Sequence, residues 1–213
     1  MAFANVQTVG GTATTQNLTI TVTGTIVGNV VTMGVSVPSA ETGAGTVTDG
    51  AGNTYARATM VAATGHDDHI FYGCQAGSTT AVTSNIDASR LQHCGASEFS
   101  GGQTTNAAII GQTSTGSGNG TAVTVGSFTP TTGSLVVSFC RNSAAPSYSV
   151  SAPIVLGATT SRSCTVWRLS ASGAETMPVT QATGDWGAAA VELFALSAAT
   201  TVKQRMTLMG VGC

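Results

Sequence analysis

Apolar and polar residues alternate with a period of two along most of the chain. Leu18, Ile20 and Val22 are interleaved with Thr19, Thr21 and Thr23, and Val31, Met33, Val35 and Val37 with Thr32, Gly34 and Ser36. Val123 with Val125, and Leu135 with Val137 and Phe139, continue the pattern. This alternation predicts half-buried strands, and β-branched side chains suit their pleated surface. Turn formers punctuate the runs: Gly10-Gly11, Gly24, Gly28-Asn29, Asp49-Gly50, Gly52-Asn53, Gly101-Gly102 and Gly133. Such spacing predicts an all-β fold, an antiparallel β-sandwich of jelly-roll-like or Ig-like form. The Ala-rich segment Gly187–Ala199 has helical propensity, but its alternation favours a strand with Val191, Leu193 and Ala195 on one face.

The two halves of the chain resemble each other. Ile20-Thr21-Val22 matches Val123-Thr124-Val125 at an offset of 103, and Gly28–Val31 matches Gly133–Val136 at 105. Ile70-Phe71 matches Val166-Trp167 and Gly77 matches Gly173 at 96; Val82-Thr83 matches Val179-Thr180 at 97. Ser97-Glu98-Phe99 matches Val191-Glu192-Leu193 at 94. The reading is a sandwich over 1–201 with half-repeats at about 15–102 and 118–198, joined by the Gly/Ser/Thr-rich stretch 111–120. The halves are expected to merge into one pseudo-symmetric body. Residues 202–213 form a separate C-terminal strand or arm.

Composition changes the picture more than any motif. Only 16 of 213 side chains are charged, 8% of the chain, with a net charge of −2. A compact monomer of this mass exposes roughly 9,000 Å², and a soluble one normally covers itself with about 25–35% charged residues. So sparse an exterior predicts faces that become covered by neighbouring molecules. Seven scattered basic residues make no stripe for nucleic acid. No apolar run reaches the length of a membrane span, and Met1–Thr15 lacks the features of a cleaved signal.

Candidate chemistry is thin. His66-Asp67-Asp68-His69 is the densest group of ligand-type side chains, but four consecutive residues do not readily converge on one ion; a polar loop before a strand is the competing reading. Glu98 and Glu192 have the makings of a carboxylate pair for glycoside chemistry, yet their equivalent places suggest a repeated structural role. No Gly-x-Ser-x-Gly elbow occurs, and the glycine-rich stretch 116–120 lacks the lysine of a phosphate loop. No catalytic residue, metal or cofactor is therefore assigned. The five cysteines form no CxxC. Cys140 and Cys164 are expected to pack as small apolar residues; a meeting of Cys74 with Cys94 across neighbouring strands and an intermolecular bond from Cys213 are the alternatives to free thiols.

One ordered set of motifs carries a resemblance. Val47-Thr48-Asp49-Gly50-Ala51-Gly52-Asn53-Thr54-Tyr55, then Ile70-Phe71-Tyr72, then Gly77, then Glu98-Phe99-Ser100-Gly101 resembles β-sandwich modules of bacteriophage virion proteins and bacterial surface proteins. The shared pattern is V-x-D-x-x-G-N-x-Y, I-[FY]-Y and E-[FY]-S-G, over about residues 15–102. The resemblance implies a sandwich in a virion or surface setting and brings no catalytic residues. Together with the surface argument, it leads to the expectation of a non-enzymatic structural protein of a phage particle. A capsid decoration or cement protein comes first, then a collar, tail or fibre component, made in the host cytoplasm and residing in the virion. Its expected partners are copies of itself and virion proteins such as the major capsid or tail protein, with no nucleic acid and no membrane. The candidate contact residues are Lys203, Arg205, Met206, Leu208, Met209, Val211 and Cys213. The alternative is an adhesin or carbohydrate-binding sandwich, which would expose Trp167 or Trp186 for stacking on sugars.

Overall fold

The alternating runs become eleven strands in a computed structural model that describes residues 2–39, 45–144, 147–170 and 173–196. In chain order these are β1 (Ala4–Thr21), β2 (Val30–Val37), β3 (Thr46–Asp49), β4 (Ala56–Ala63), β5 (His66–Cys74) and β6 (Ala81–Ser100). One turn of helix, α1 (Asn106–Ile109), precedes β7 (Ile110–Val123), β8 (Leu135–Asn142), β9 (Val155–Thr159), β10 (Ser163–Leu169) and β11 (Val179–Leu193). The first half builds one antiparallel sheet, ordered β1-β6-β2-β5-β4 with β3 also on β6. The second builds another, ordered β7-β11-β8-β10-β9. The two orders are identical once β7, β8, β9, β10 and β11 are equated with β1, β2, β4, β5 and β6. The fold is an antiparallel β-sandwich of two similar halves, and Gly187–Leu193 lies in a strand.

Strand registers fix the equivalences. Val30 lies opposite Phe99 and Leu135 opposite Leu193; Ile20 faces Val82 and Val123 faces Val179. One matching of the sequence is a residue out. Met33 pairs with Phe71 and Ser138 with Val166, so Phe71-Tyr72, and not Ile70-Phe71, corresponds to Val166-Trp167. A slip of one residue turns every side chain to the other face. The structure accordingly puts Phe71 and Val166 in outer clusters and Tyr72 and Trp167 in the shared interior.

The stretch 111–120 is not a joint. It belongs to β7 and is hydrogen-bonded to β11, from Thr113 opposite Val191 to Gly120 opposite Gly184. Its glycines answer to close contacts: a Cβ on Gly116 would sit 2.1 Å from the Thr124 carbonyl oxygen, and one on Gly118 would sit 2.9 Å from the Trp186 indole. The halves are joined instead by residues 101–109, and the first begins at Ala4, well before residue 15.

Three apolar clusters result. Leu18, Ile20, Met33, Val35, Phe71 and Val82 fill the outer face of the first sheet, where the β1–β6 ribbon and β3 fold over β2. Val123, Val136, Val166, Val179 and Trp186 do the same for the second. Between the sheets lie Val30, Ile70, Phe99, Leu135, Val137, Val191 and Leu193. The central strands β2 and β8 are therefore buried along their whole length.

At the middle of this shared interior, equivalent positions face each other. Gly34 lies under Phe139, with room for no Cβ, since one would fall 2.0 Å from the ring. Arg141 Nη1 donates to Ser36 Oγ at 3.1 Å. Both pairs are related by the offset of 105, so a pseudo-two-fold axis runs between β2 and β8. Large meets small at each such position. Gly34→Val should cost about 1–3 kcal/mol by overpacking and Phe139→Ala about 3–5 kcal/mol by leaving a cavity. The double variant should lose less than the sum, since residues in contact couple. Urea denaturation of the four proteins checks this, and strict additivity would contradict the contact.

Candidate functional site

The two buried glutamates are the clearest repeated polar feature. Glu98 in β6 and Glu192 in β11 are 1% and 0% exposed. Glu98 Oε1 accepts from the Ile26 amide at 2.8 Å and from Asn29 Nδ2 at 2.7 Å, and Oε2 accepts from Gln7 Nε2 at 2.6 Å. Glu192 Oε1 accepts from the Thr131 amide at 2.6 Å and Oε2 from the Gln112 amide at 3.0 Å. Ile26 and Thr131, like Gln7 and Gln112, are 105 residues apart. Each glutamine side chain also donates to the carbonyl of the loop before the central strand, at Thr23 or Thr129. Each carboxylate thus closes one loop onto its own sheet. They lie opposite Val31 and Val136, which point into the two outer clusters, so they face away from each other. Two carboxylates in that arrangement cannot flank one glycosidic bond.

The V-x-D-x-x-G-N-x-Y segment is a polar latch. Asp49 Oδ1 accepts from the Ala51 and Asn53 amides, and Oδ2 from Asn53 Nδ2 at 2.7 Å and the Tyr55 hydroxyl at 2.9 Å. Gly52 supplies the left-handed conformation that the turn requires, at φ +75°. Asn53 Oδ1 then accepts from the Ala76 and Gly77 amides, both at 2.8 Å, which clips the turn to the end of β5. Burial, reinforced by Asp49, raises the Tyr55 hydroxyl pKa, so the phenol stays protonated as the donor. All of these side chains are used internally.

His66-Asp67-Asp68-His69 is not a loop. It is the start of β5, all four residues buried, and strand alternation splits it between two faces. His66 and Asp68 point between the sheets, 3.2 Å apart (Nε2 to Oδ2), where Arg141 feels the Asp68 charge. His93 Nδ1 lies 3.1 Å from Thr160 Oγ1, which is 2.8 Å from Ser163 Oγ. On the other face His69 stacks on Phe71. No group of three ligand-type side chains is arranged around an ion among the described residues. Burial, assisted by Arg57, lowers the His69 pKa to about 4; burial, assisted by Arg141, Arg162 and His66, does the same to His93. The cluster makes one end of the interface ionic and the other apolar. That asymmetry fixes how the sheets are laid on each other.

The cysteines also rearrange. Cys74 lies opposite Val30 and Cys94 opposite Val35, on strands that flank β2. A whole strand and five residues of register separate them, so they do not meet. Cys140 and Cys164 face each other across β8 and β10, a pairing that strand periodicity alone did not reveal.

The exterior is even less ionised than composition implies. Thirteen of the sixteen charged side chains lie among the described residues. Six of these (Asp67, Asp68, Glu98, Arg141, Glu175 and Glu192) are buried, and of the rest only Arg57 and Asp87 are exposed, the others being partly buried. Strands β1 and β7, which end their sheets, contain neither a charge nor a proline. No aromatic side chain is in the exposed class: Trp186 is 8% exposed against Gly118, and Trp167 packs edge-on against Phe99. Ile26 and Val27 protrude at one loop tip. Lys203, Arg205, Met206, Leu208, Met209, Val211 and Cys213 lie outside the described residues. Comparison with protein-family models, curated proteins and solved structures finds no match to this chain. The architecture is that of an all-β sandwich module suited to a structural or binding role.

Glu98→Ala and Glu192→Ala should each destabilise by about 3 kcal/mol, because buried donors to a charged acceptor are left unpaired; equal urea midpoints for variant and parent would refute the closure role. Stability should also fall on acidification from pH 6.5 to about 4. In that window the unfolded chain binds protons that folded His69 and His93 refuse, up to about 1.4 kcal/mol per pH unit for each. Asp67, whose carboxyl is raised by burial and by Asp68, opposes this near the acid end. Urea midpoints at pH 7 and pH 5 give the sign.

Proposed function

We propose that this chain is a non-enzymatic structural component of a bacteriophage particle. A capsid decoration or cement protein is the first choice, and a collar, tail or fibre component the second. The observation that carries the reading is the near-absence of charge from the exterior. A monomer with so few ionised surface groups has little to oppose association, while contacts between uncharged faces avoid the cost of burying unpaired charge. The long edges of β1 and β7 add to this. Edge strands are ordinarily protected by charge, proline or a bulge; the first two devices are missing here, and although residues 124–126 fold against β7 at 114–116, the uncharged remainder of both edges suits strand-to-strand contact with another chain.

The mechanism is additive. Each copy makes modest contacts with copies of itself and with a shell or tail protein, and many such contacts in register give a strong lattice. The resemblance of the Asp49–Tyr55 latch and of the Glu98 segment to phage sandwich modules supports the setting. The C-terminal residues Lys203, Arg205, Met206, Leu208, Met209, Val211 and Cys213 are proposed as an arm to a neighbour. Burial of Trp186 and the partial burial of Trp167 against Phe99 disfavour sugar stacking.

Light scattering on eluted fractions should show association that grows with protein concentration, and the protein should be found in purified particles. Thr14→Lys, on the exposed face of the β1 edge, should reduce the associated fraction without lowering the urea midpoint. Deleting residues 202–213 should leave folding intact and weaken assembly. A chain that remains a single copy at high concentration and is missing from particles would defeat the proposal.

A further inference from the structure

Cys140 and Cys164 sit directly opposite each other on β8 and β10, with their sulfurs 2.9 Å apart. We propose that this pair is a site of disulfide formation, a cross-strand bond that locks the second sheet when the protein meets an oxidising environment. The proposal does not depend on the particle role. Three observations carry it. The register is one-to-one, and opposed residues of an antiparallel pair have Cα atoms about 4.5–5.5 Å apart, within the range that a disulfide spans. The two side chains share a face, in the cluster that includes Val136, Val166 and Trp186. The sulfurs need to close by less than 1 Å to reach the bonded distance of about 2.0 Å. Among the other described cysteines, Cys74 and Cys94 are kept apart by β2.

The chemistry balances with a small disulfide such as oxidised glutathione as the oxidant. One cysteine, as thiolate, attacks a glutathione sulfur; the glutathione S–S bond breaks and one glutathione thiolate leaves. The second cysteine, also deprotonated, attacks the protein sulfur of the mixed disulfide, forming the Cys140–Cys164 bond and expelling the second glutathione thiolate. The protein gives up two protons and two electrons, and oxidised glutathione becomes two molecules of glutathione.

Access sets when this happens. Both residues are buried, at 0% and 1% exposure, in the cluster that also holds Ile154 and against which Tyr148 packs. Burial and the neighbouring sulfur hold the Cys164 thiol protonated. Oxidation therefore belongs to folding, or to opening of the outer cluster in which the pair is buried, and once made the bond is shielded from reductants.

The test uses the full chain. Reduced protein is unfolded in urea, diluted into buffer with reduced and oxidised glutathione, alkylated and mapped by non-reducing peptide mass spectrometry. The expected product is one linked peptide pair containing Cys140 and Cys164, two mass units lighter than the dithiol, with Cys74, Cys94 and Cys213 alkylated. The oxidised protein should unfold at higher urea than the same protein with dithiothreitol, and that difference should vanish in Cys140→Ala/Cys164→Ala. Recovery of folded protein with both cysteines alkylated, or linked instead to Cys74, Cys94 or Cys213, would overturn the proposal; the mapping needs no variant to fold.

Discussion

Everything in this fold depends on two similar sheets sharing one interior about an axis on which equivalent positions, Gly34 with Phe139 and Ser36 with Arg141, meet each other. Exact symmetry would put like on like, which fails for large side chains (two rings collide) and for charged ones (two guanidinium groups repel). The chain resolves this by pairing unlike residues. Gly34 receives the Phe139 ring, and Ser36 receives the Arg141 guanidinium. Gly95 makes similar room for Thr165, and Gly187 for Asp68. Close-packed interiors register a change of even one methylene, so these glycines are packing residues. Their worth lies in what they admit, and the resulting fit makes each half complementary to the other while poorly matched to itself.

The polar interior follows from the same arrangement. A sheet buried on both faces has nowhere to expose its backbone loops except at its ends, and the carboxylates of Glu98 and Glu192 gather the amides there. The ionic end of the interface, with His66, Asp68 and Arg141, is a different matter. Buried ion pairs contribute little net stability against a well-packed apolar alternative, but losing one partner is costly. Such a group discourages sheets from sliding or turning over, because any other arrangement strands its charges.

Much of this was legible in the sequence because period two is a direct consequence of the strand backbone. The halves were legible too: Ser97-Glu98-Phe99 and Val191-Glu192-Leu193 announce equivalent strands, and their common glutamate carries one role twice. What escaped reading was whatever depends on partners distant in the chain. His66–His69 looks like a loop because Arg141, the counter-charge near Asp68, is supplied by a strand of the other half. Gly111–Gly120 looks like a linker because composition does not disclose that Trp186 and Thr124 lie against it. Cys140 and Cys164 become neighbours only once β8 and β10 are in register, and a one-residue error in matching β5 to β10 conceals how the faces turn.

The connection 101–109 carries a consequence of its own. It is fastened at both ends: Gln103 donates to the carbonyls of Phe194 and Ala195, the Leu196 amide donates to the Gly101 carbonyl, and Cys74 donates to Asn106 Oδ1 and the Gln103 carbonyl. The complementary interior fits the opposite half whichever chain supplies it, and so short a strap, by raising the effective concentration of the half on the same chain, favours closure within one chain over exchange between two.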